Sequence, residues 1–332
     1  MERIASVEAL EGVLGSASLG TKMKIIDHLD ETAAGWIAAS PLAFLGVAGD
    51  AGPIITLAGG AAGFAAAATR RTLRVPLAAI DDPAAFAVGA GAGALFLVPG
   101  VGETLRANGR VSALDAEAVE IAIEECFVHC AKALIRSDFW AGGDEVAPEA
   151  AGSFLDSARF LALATMDSRG LVDVSPKGDP AGLLLRTDGA RLVLAERPGN
   201  RLAFGYRNMI EQPRVAALAM IPGSDQVALV RGRAGLTTDE ALREGFVVDG
   251  RRPILATVVE TEAVERRASA ALGRAELWTG APAPAGIDPA GTLVAHLKLN
   301  KEQGVEATML RLAATRDVVA RGLKANYKDT LY

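Results

Sequence analysis

Short apolar runs separated by turn residues make up most of this chain. In "FLALATMDSRGLVDVSP" (160–176) an apolar run meets Asp-Ser-Arg-Gly and a second run follows, the pattern of a β-hairpin. "RLVLAE" (191–196), "RVAALAMIPG" (214–223) and "QVALVRGRAGL" (226–236) predict further strands. Helical segments are fewer. One ends near "WIAASP" (36–41), one near "SFLDSA" (153–158), and "NRLAFGYRNMIEQ" (200–212) predicts another. "TTDEAL" (237–242) opens a helix with Thr238 as the expected N-cap and acids in the first turn. Residues 281–332 begin Pro/Ala-rich and close in two helical patterns, the last over 313–332. Many short strands with few helices predict a mainly β, α+β chain of small barrels with helical additions.

Two stretches pull the other way. "AGPIITLAGGAAGFAAAAT" (51–69) and "AAFAVGAGAGALFLVPGVG" (84–102) are nearly uncharged and long enough to cross a bilayer. Both are broken by glycine and proline, and an internal repeat decides against lipid. "ALIRSDFWAG" (133–142) returns as "ALGRAELWTG" (271–280), with five of ten positions identical, including two of the chain's three tryptophans. "LVPGVGETLRANGRVSALDAEA" (97–118) returns as "MIPGSDQVALVRGRAGLTTDEA" (220–241), and "LGVAGDAGPIITLAGG" (45–60) as "LATMDSRGLVDVSPKG" (163–178). The counterpart of the first apolar stretch carries Asp173, Lys177, Asp179, Arg186, Asp188 and Arg191, which lipid would not admit. Both stretches are therefore expected as buried strands and turns.

The repeat divides the chain into a first copy over 1–142 and a second copy with the C-terminal extension over 143–332, joined by a linker near 143–150. A length of 332 residues suits two domains at roughly 100–200 residues each. Net charge is −6 and spread, with no basic run, which argues against a nucleic-acid partner. No charged segment, apolar core and cleavage site opens the sequence, and the two cysteines, Cys126 and Cys130, form no disulfide framework. A cytoplasmic protein with no membrane partner is the expectation.

Candidate chemistry is unequally shared between the copies. The second holds "DVSPKGDPAG" (173–182), with Ser175 and Lys177 at a strand end, and "ERPGNR" (196–201), with Arg197, Asn200 and Arg201 at the start of a helix. Guanidinium, ammonium, hydroxyl and free backbone N–H groups in one place suit a phosphate monoester; a solvated charged loop is the plainer alternative. The alignment sets Lys177 against Gly59 and Ser175 against Leu57, and finds no counterpart for the loop beyond "RRTLRVPLAAIDD". The first copy is rich elsewhere, in "GETLRANGR" (102–110) and "EECFVHCAKALIRSDFW" (124–140). There Glu125, His129 and Lys132 fall at helical spacing beside Cys126, Cys130 and Arg136, whereas the second copy has Arg267 for His129 and Val264 for Cys126. Cys126, His129 and Cys130 lack a fourth ligand, so no metal site is expected and the cysteines read as small core residues; pairing with Glu125 is the plainer reading of His129, and a ligand-facing role shared with Lys132 and Arg136 is the favoured one.

Together with "SVEALEGVLG", "AAGWIAASPLAFLGVAGDAG", "RNMIEQPRV" and "YKDTLY", these motifs resemble the pyridoxamine 5'-phosphate oxidase-like family, and within it a bacterial FMN-dependent branch. The resemblance implies split β-barrels that pair about a twofold axis with FMN between them. Here the pairing would be within the chain: a tandem pseudo-dimer, open to further homodimerisation, with one FMN per chain. It places Val172, Asp173, Val174, Ser175 and Lys177 along the flavin, and Arg197, Asn200 and Arg201 at its phosphate. Glu103, Thr104, Arg106, His129 and Arg136 would come from the opposite barrel. It implies an oxidoreductase acting on a small organic substrate, with no catalytic residue assigned. The alternatives are a flavin- or haem-binding protein without turnover, a decayed interaction module, or use of a deazaflavin. The Trp-Gln-Gly and Arg-Leu-His signatures of true pyridoxamine phosphate oxidases are absent, which counts against that substrate.

Overall fold

The computed structural model describes residues 3–143 and 147–332. The expected linker at 143–150 therefore lies partly outside the described residues. Strand β1 (Arg3–Ile4) and helices α1 (Val7–Leu14), α2 (Leu19–Met23) and α3 (Glu31–Ala39) precede the first barrel. Its strands are β2 (Leu42–Gly49), β3 (Gly52–Gly59), β4 (Ala66–Thr69), β5 (Thr72–Pro76), β6 (Gly91–Leu97), β7 (Thr104–Leu114) and β8 (Ala118–His129). Helices α4 (Lys132–Arg136) and α5 (Ala151–Ser157) lead to β9 (Phe160–Met166), β10 (Val172–Gly178), β11 (Leu185–Asp188) and β12 (Arg191–Glu196). Helix α6 (Phe204–Glu211), β13 (Arg214–Met220), β14 (Gln226–Thr237), α7 (Glu240–Glu244), β15 (Leu255–Ala268) and α8 (Ala270–Ala275) complete the second barrel. Three helices close the chain, α9 (Pro289–Leu299), α10 (Val305–Ala313) and α11 (Arg316–Asp329), where two were expected.

Among the described residues the strands form two antiparallel sheets, β3-β2-β6-β7-β8-β5-β4 and β10-β9-β13-β14-β15-β12-β11. Strand by strand the two orders are the same, so the repeat read from the sequence is a repeat of topology: two split barrels in one chain. The register corrects the alignment by one residue in the first hairpin. Lys177 faces Leu161 as Ala58 faces Ala43, and Ser175 faces Leu163 as Thr56 faces Leu45, so the counterparts are Ala58 and Thr56, not Gly59 and Leu57.

Within the nearly uncharged stretches β3 and β6 are buried on both faces, whereas most of residues 61–69 and 84–90 are at least partly exposed. Along β6, Ala92, Ala94 and Phe96 point into the first barrel, whereas Leu95 and Leu97 point into a core shared with the second. Along β9, Leu161 and Leu163 face the second barrel, and Phe160, Ala162 and Ala164 the shared core. A strand covered on both sides carries apolar residues at every position. Among the described residues no helix is long and apolar enough to cross a membrane.

The repeated tryptophan motif lies at this junction. Arg136 Nε donates to the Gly178 carbonyl (2.8 Å) in the other barrel, and Arg274 Nε donates to the Gly59 carbonyl (3.0 Å) in return. This reciprocity is the mark of an isologous contact. Both glycines are obligatory, because a Cβ on Gly178 would run into the Ala133 carbonyl and one on Gly59 into that of Ala271. Trp140 and Trp278 flank Phe139, with ring centroids 4.9 and 5.6 Å away.

The terminal segments cross over. β1 pairs with β14 and Leu10 of α1 joins the second core. At the other end His296 of α9 is buried against the first barrel, between the Lys24 carbonyl (3.1 Å) and the Asp30 carboxylate (3.3 Å). The terminal segments therefore cross the division at 142/143: β1 joins the second sheet, and the C-terminal extension packs on the first barrel. Two local expectations are corrected. The N-cap of α7 is Asp239, whose carboxylate accepts from the Leu242 N–H (3.3 Å), rather than Thr238. Glu125 and His129 lie on β8, not on a helix, which begins only at Lys132. A bulge opposite Asn108/Gly109 shifts the alternation from Ile121 and Ile123 to Cys126 and Val128, and the broken period mimics helical spacing.

Candidate functional site

A cavity of about 760 Å³ lies between the barrels, with one wall from each. The second-barrel wall is the end of β10 and the loop from β12 into α6. Ser175, Lys177, Arg197, Asn200 and Arg201 all line it. The first-barrel wall contributes Glu103 from just before β7, Arg106 from its start, His129 from the end of β8, and Arg136 from α4. Val172, Asp173, Val174 and Thr104, the remaining candidates, are buried behind these walls and do not line the cavity. Val174 belongs to the shared core. Asp173 pairs with Arg106 and accepts from Asn108 (3.2 Å) and from the Ser175 hydroxyl (3.0 Å), so it positions lining residues of both walls.

The β12–α6 loop combines an unusual backbone with polar groups that lack partners. Arg201 and Ala203 adopt left-handed backbone angles (φ 60° and 59°), an unfavourable conformation for side chains with a Cβ and a frequent feature of ligand loops. Ala203 is the N-cap of α6 and supplies no side-chain cap to the first-turn N–H groups, and Phe204, Gly205 and Tyr206 of that turn line the cavity. The Asn200 carbonyl oxygen accepts from the Leu202 N–H (3.0 Å), and its buried Nδ2 has no partner. Arg201 forms no ion pair among the described residues.

Two carboxylates, neither singled out from the sequence as site residues, organise the cations on this wall. Asp179 accepts from Arg197 Nε (2.9 Å) and lies 3.5 Å from Arg136 Nε; burial raises its pKa against the pull of both guanidiniums. Glu196 accepts from Lys177 (2.5 Å), the Tyr206 hydroxyl (2.6 Å) and the Thr257 hydroxyl (2.7 Å). Burial, with Glu196 adding to it, holds the Tyr206 phenol protonated.

On the first-barrel wall His129 does not pair with Glu125, which accepts instead from Asn108 (3.2 Å). Its Nδ1 is buried without a partner. Burial first, then Arg106, Lys24, Lys177 and Arg136, push its pKa well below the usual range, so the imidazole is neutral. Glu103 accepts from the Tyr327 hydroxyl (2.8 Å) of α11, and burial raises its pKa. Cys126 packs in the first core, where burial raises its pKa, and Cys130 lines the cavity. Among the described residues no cluster of ligating side chains could hold a metal ion. Sequence reasoning also passed over Lys24 and the C-terminal segment, where Lys132 donates to the Thr330 carbonyl (2.6 Å) and Arg136 to that of Leu331 (2.9 Å).

The second barrel can be placed by comparison. Residues 147–280 match the pyridoxamine 5'-phosphate oxidase family. This segment spans the second sheet through α8 and includes the β10 and β12–α6 parts of the cavity; the first barrel shares its strand order. Solved structures similar to part of the chain include HupZ of Group A Streptococcus (16% identity, 38% of this chain and 90% of that one, TM-score 0.28). An F420 reductase is similar at 20% identity, over 36% of this chain and 98% of that one (TM-score 0.28). General Stress Protein 26 from Bacillus anthracis is similar at 13% identity, over 34% of this chain and 86% of that one (TM-score 0.28). No curated protein matches the chain.

Proposed function

We propose that the chain binds one FMN in the cavity between its barrels and acts as an FMN-dependent oxidoreductase on a small organic substrate. The observation that carries this reading is the anion end of the cavity. An uncapped helix start, the unpartnered Asn200 amide and the free Arg201 converge there, within a segment matching the oxidase family. A cavity of about 760 Å³ is ample for a dinucleotide-sized or smaller ligand. Arg201, Asn200 and the α6 amides would hold the phosphate. Ser175 and Lys177, fixed by Asp173 and Glu196, would lie along the ring, with His129 and Arg106 opposite. Bound FMN supplies hydride exchange with the substrate. The protein orients both partners and keeps a wall rich in cationic side chains beside them. The free thiols Cys126 and Cys130 suit a cytoplasmic setting.

A second reading rests on His129. A neutral imidazole with an unpartnered nitrogen on a cavity wall is also fit to ligate haem iron. One spectrum separates the two. The purified protein is expected to show flavin bands, to bleach on reduction and to recover with an oxidised substrate. A Soret band on adding haemin, with no uptake of FMN, would replace the flavin reading by the haem one.

A further inference from the structure

Most cations around the cavity already have partners. Lys177 has Glu196, Arg136 and Arg197 share Asp179, Lys132 has Thr330, and Arg106 has Asp173. Among the described residues two are left with neither a hydrogen bond nor an ion pair from the charged group, Arg201 and Lys24. Arg201 stands on the second-barrel loop. Lys24 stands on the first-barrel side of the cavity, just after α2.

Lys24 is only 7% exposed, so its unpaired charge is costly where it sits. Burial, with Arg106 adding to it, lowers its pKa to about 8. Its backbone is pinned by His296 of α9, which bonds the Lys24 carbonyl. Its ammonium lies 5.5 Å from the centroid of the Phe127 ring, and the Arg106 guanidinium lies 5.0 Å from the same centroid. Phe127 in turn meets Phe204 of the second barrel edge-on, at 6.1 Å. Arg106 Nε and His129 Nδ1 are both buried without hydrogen-bond partners. An ammonium and a guanidinium edge short of acceptors, and a neutral imidazole with an unpartnered nitrogen, therefore share one wall.

We propose that Lys24, Arg106 and His129 form a second oxyanion subsite, separate from the Arg201 end, which takes the carboxylate or phosphate group of the substrate. The substrate is then a small organic anion. This rests on the flavin reading in one respect only, that the Arg201 end is occupied by the cofactor. An oxyanion beside Lys24 supplies the missing counter-charge and can accept from Arg106 Nε, while His129 meets a neighbouring polar group.

Isothermal titration with inorganic phosphate tests this. Flavin-free protein is expected to show two phosphate sites, one lost in Lys24→Gln and the other in Arg201→Gln. FMN-loaded protein is expected to keep one site, weakened at least tenfold by Lys24→Gln and largely restored by Lys24→Arg. Unchanged phosphate binding to FMN-loaded Lys24→Gln protein, or a single site in the flavin-free protein that both variants weaken, overturns the subsite. Failure to take up FMN overturns the flavin reading alone, because the two-site count needs no flavin. Acetate that displaces phosphate from the Lys24 site assigns a carboxylate; acetate that does not assigns a phosphate.

Discussion

The two junctions between the barrels occupy equivalent places in the repeat, and one is open while the other is filled. At the open one the β12–α6 loop carries Asn200 and Arg201. Counted from the paired strands, Pro76 of β5 corresponds to Ala195 of β12, which sets Asp81 and Asp82 in the places of Asn200 and Arg201. The charge is reversed. Asp82 pairs with Arg267, the counterpart of His129, and accepts from Thr56 (2.8 Å), the counterpart of Ser175. Asp81 accepts from the Ser269 hydroxyl (2.5 Å) and from the Ala271 N–H (2.8 Å). At the filled junction the chain's own carboxylates occupy the places that Asn200 and Arg201 hold at the open one. The filled junction is held together by contacts within the chain, with the glycine and arginine contacts of the junction kept in both.

That contrast can be broken from either side. The largest effect is expected from Arg136→Ala and Arg274→Ala. Each removes a guanidinium that bonds carbonyls across the junction and should cost about 3 kcal/mol in chemical denaturation, nearly equal for the two. Only Arg136→Ala should also weaken ligand binding; equal losses of binding would mean the filled junction still serves the site. Arg201→Gln should leave the melting temperature unchanged and weaken FMN by about 2 kcal/mol, the worth of a charge-assisted contact, in a fluorescence titration.

Lys24→Met should stabilise the ligand-free protein by about 2 kcal/mol at pH 7, since it removes a buried unpaired charge. The sign of the pH dependence follows from the lowered pKa. Between about 8 and the ordinary lysine value of 10.5 the unfolded chain binds the proton that the folded one has released, so stability rises with pH across that window. Lys24→Met should flatten that rise in urea titrations at pH 7.5 and 10. Asp82→Asn should cost the least, about 1 kcal/mol, because its pairing with Arg267 is partly exposed. Its flavin content should not change.

The barrels were legible in the sequence because strand periodicity and the repeat are local signals. "ALIRSDFWAG" and its echo marked the junction through residues whose packing is needed twice. The cavity's loop was legible from Arg197, Asn200 and Arg201 beside a helix start. Lys24 was not, because one lysine in "TKMKIIDHL" carries no sign that α9, arriving from residues 289–299, buries it. Asp179 and Glu196 were hidden for the same reason: their partners lie on other strands or on the other barrel. Register was misjudged by one residue where glycines invited a match that the hydrogen-bond ladder does not make. The reversal at Asp81 and Asp82 was in plain view in "LAAIDD", but the equivalence of that loop with "ERPGNR" rests on strand pairing that sequence alone does not show.

Counting released flavin against protein in the purified chain tests the asymmetry of the junctions most directly. One FMN per chain is the expected result. Two per chain would mean that the Asp81–Asp82 junction still binds, and none, with no uptake of added FMN, would mean that the open junction serves a different ligand.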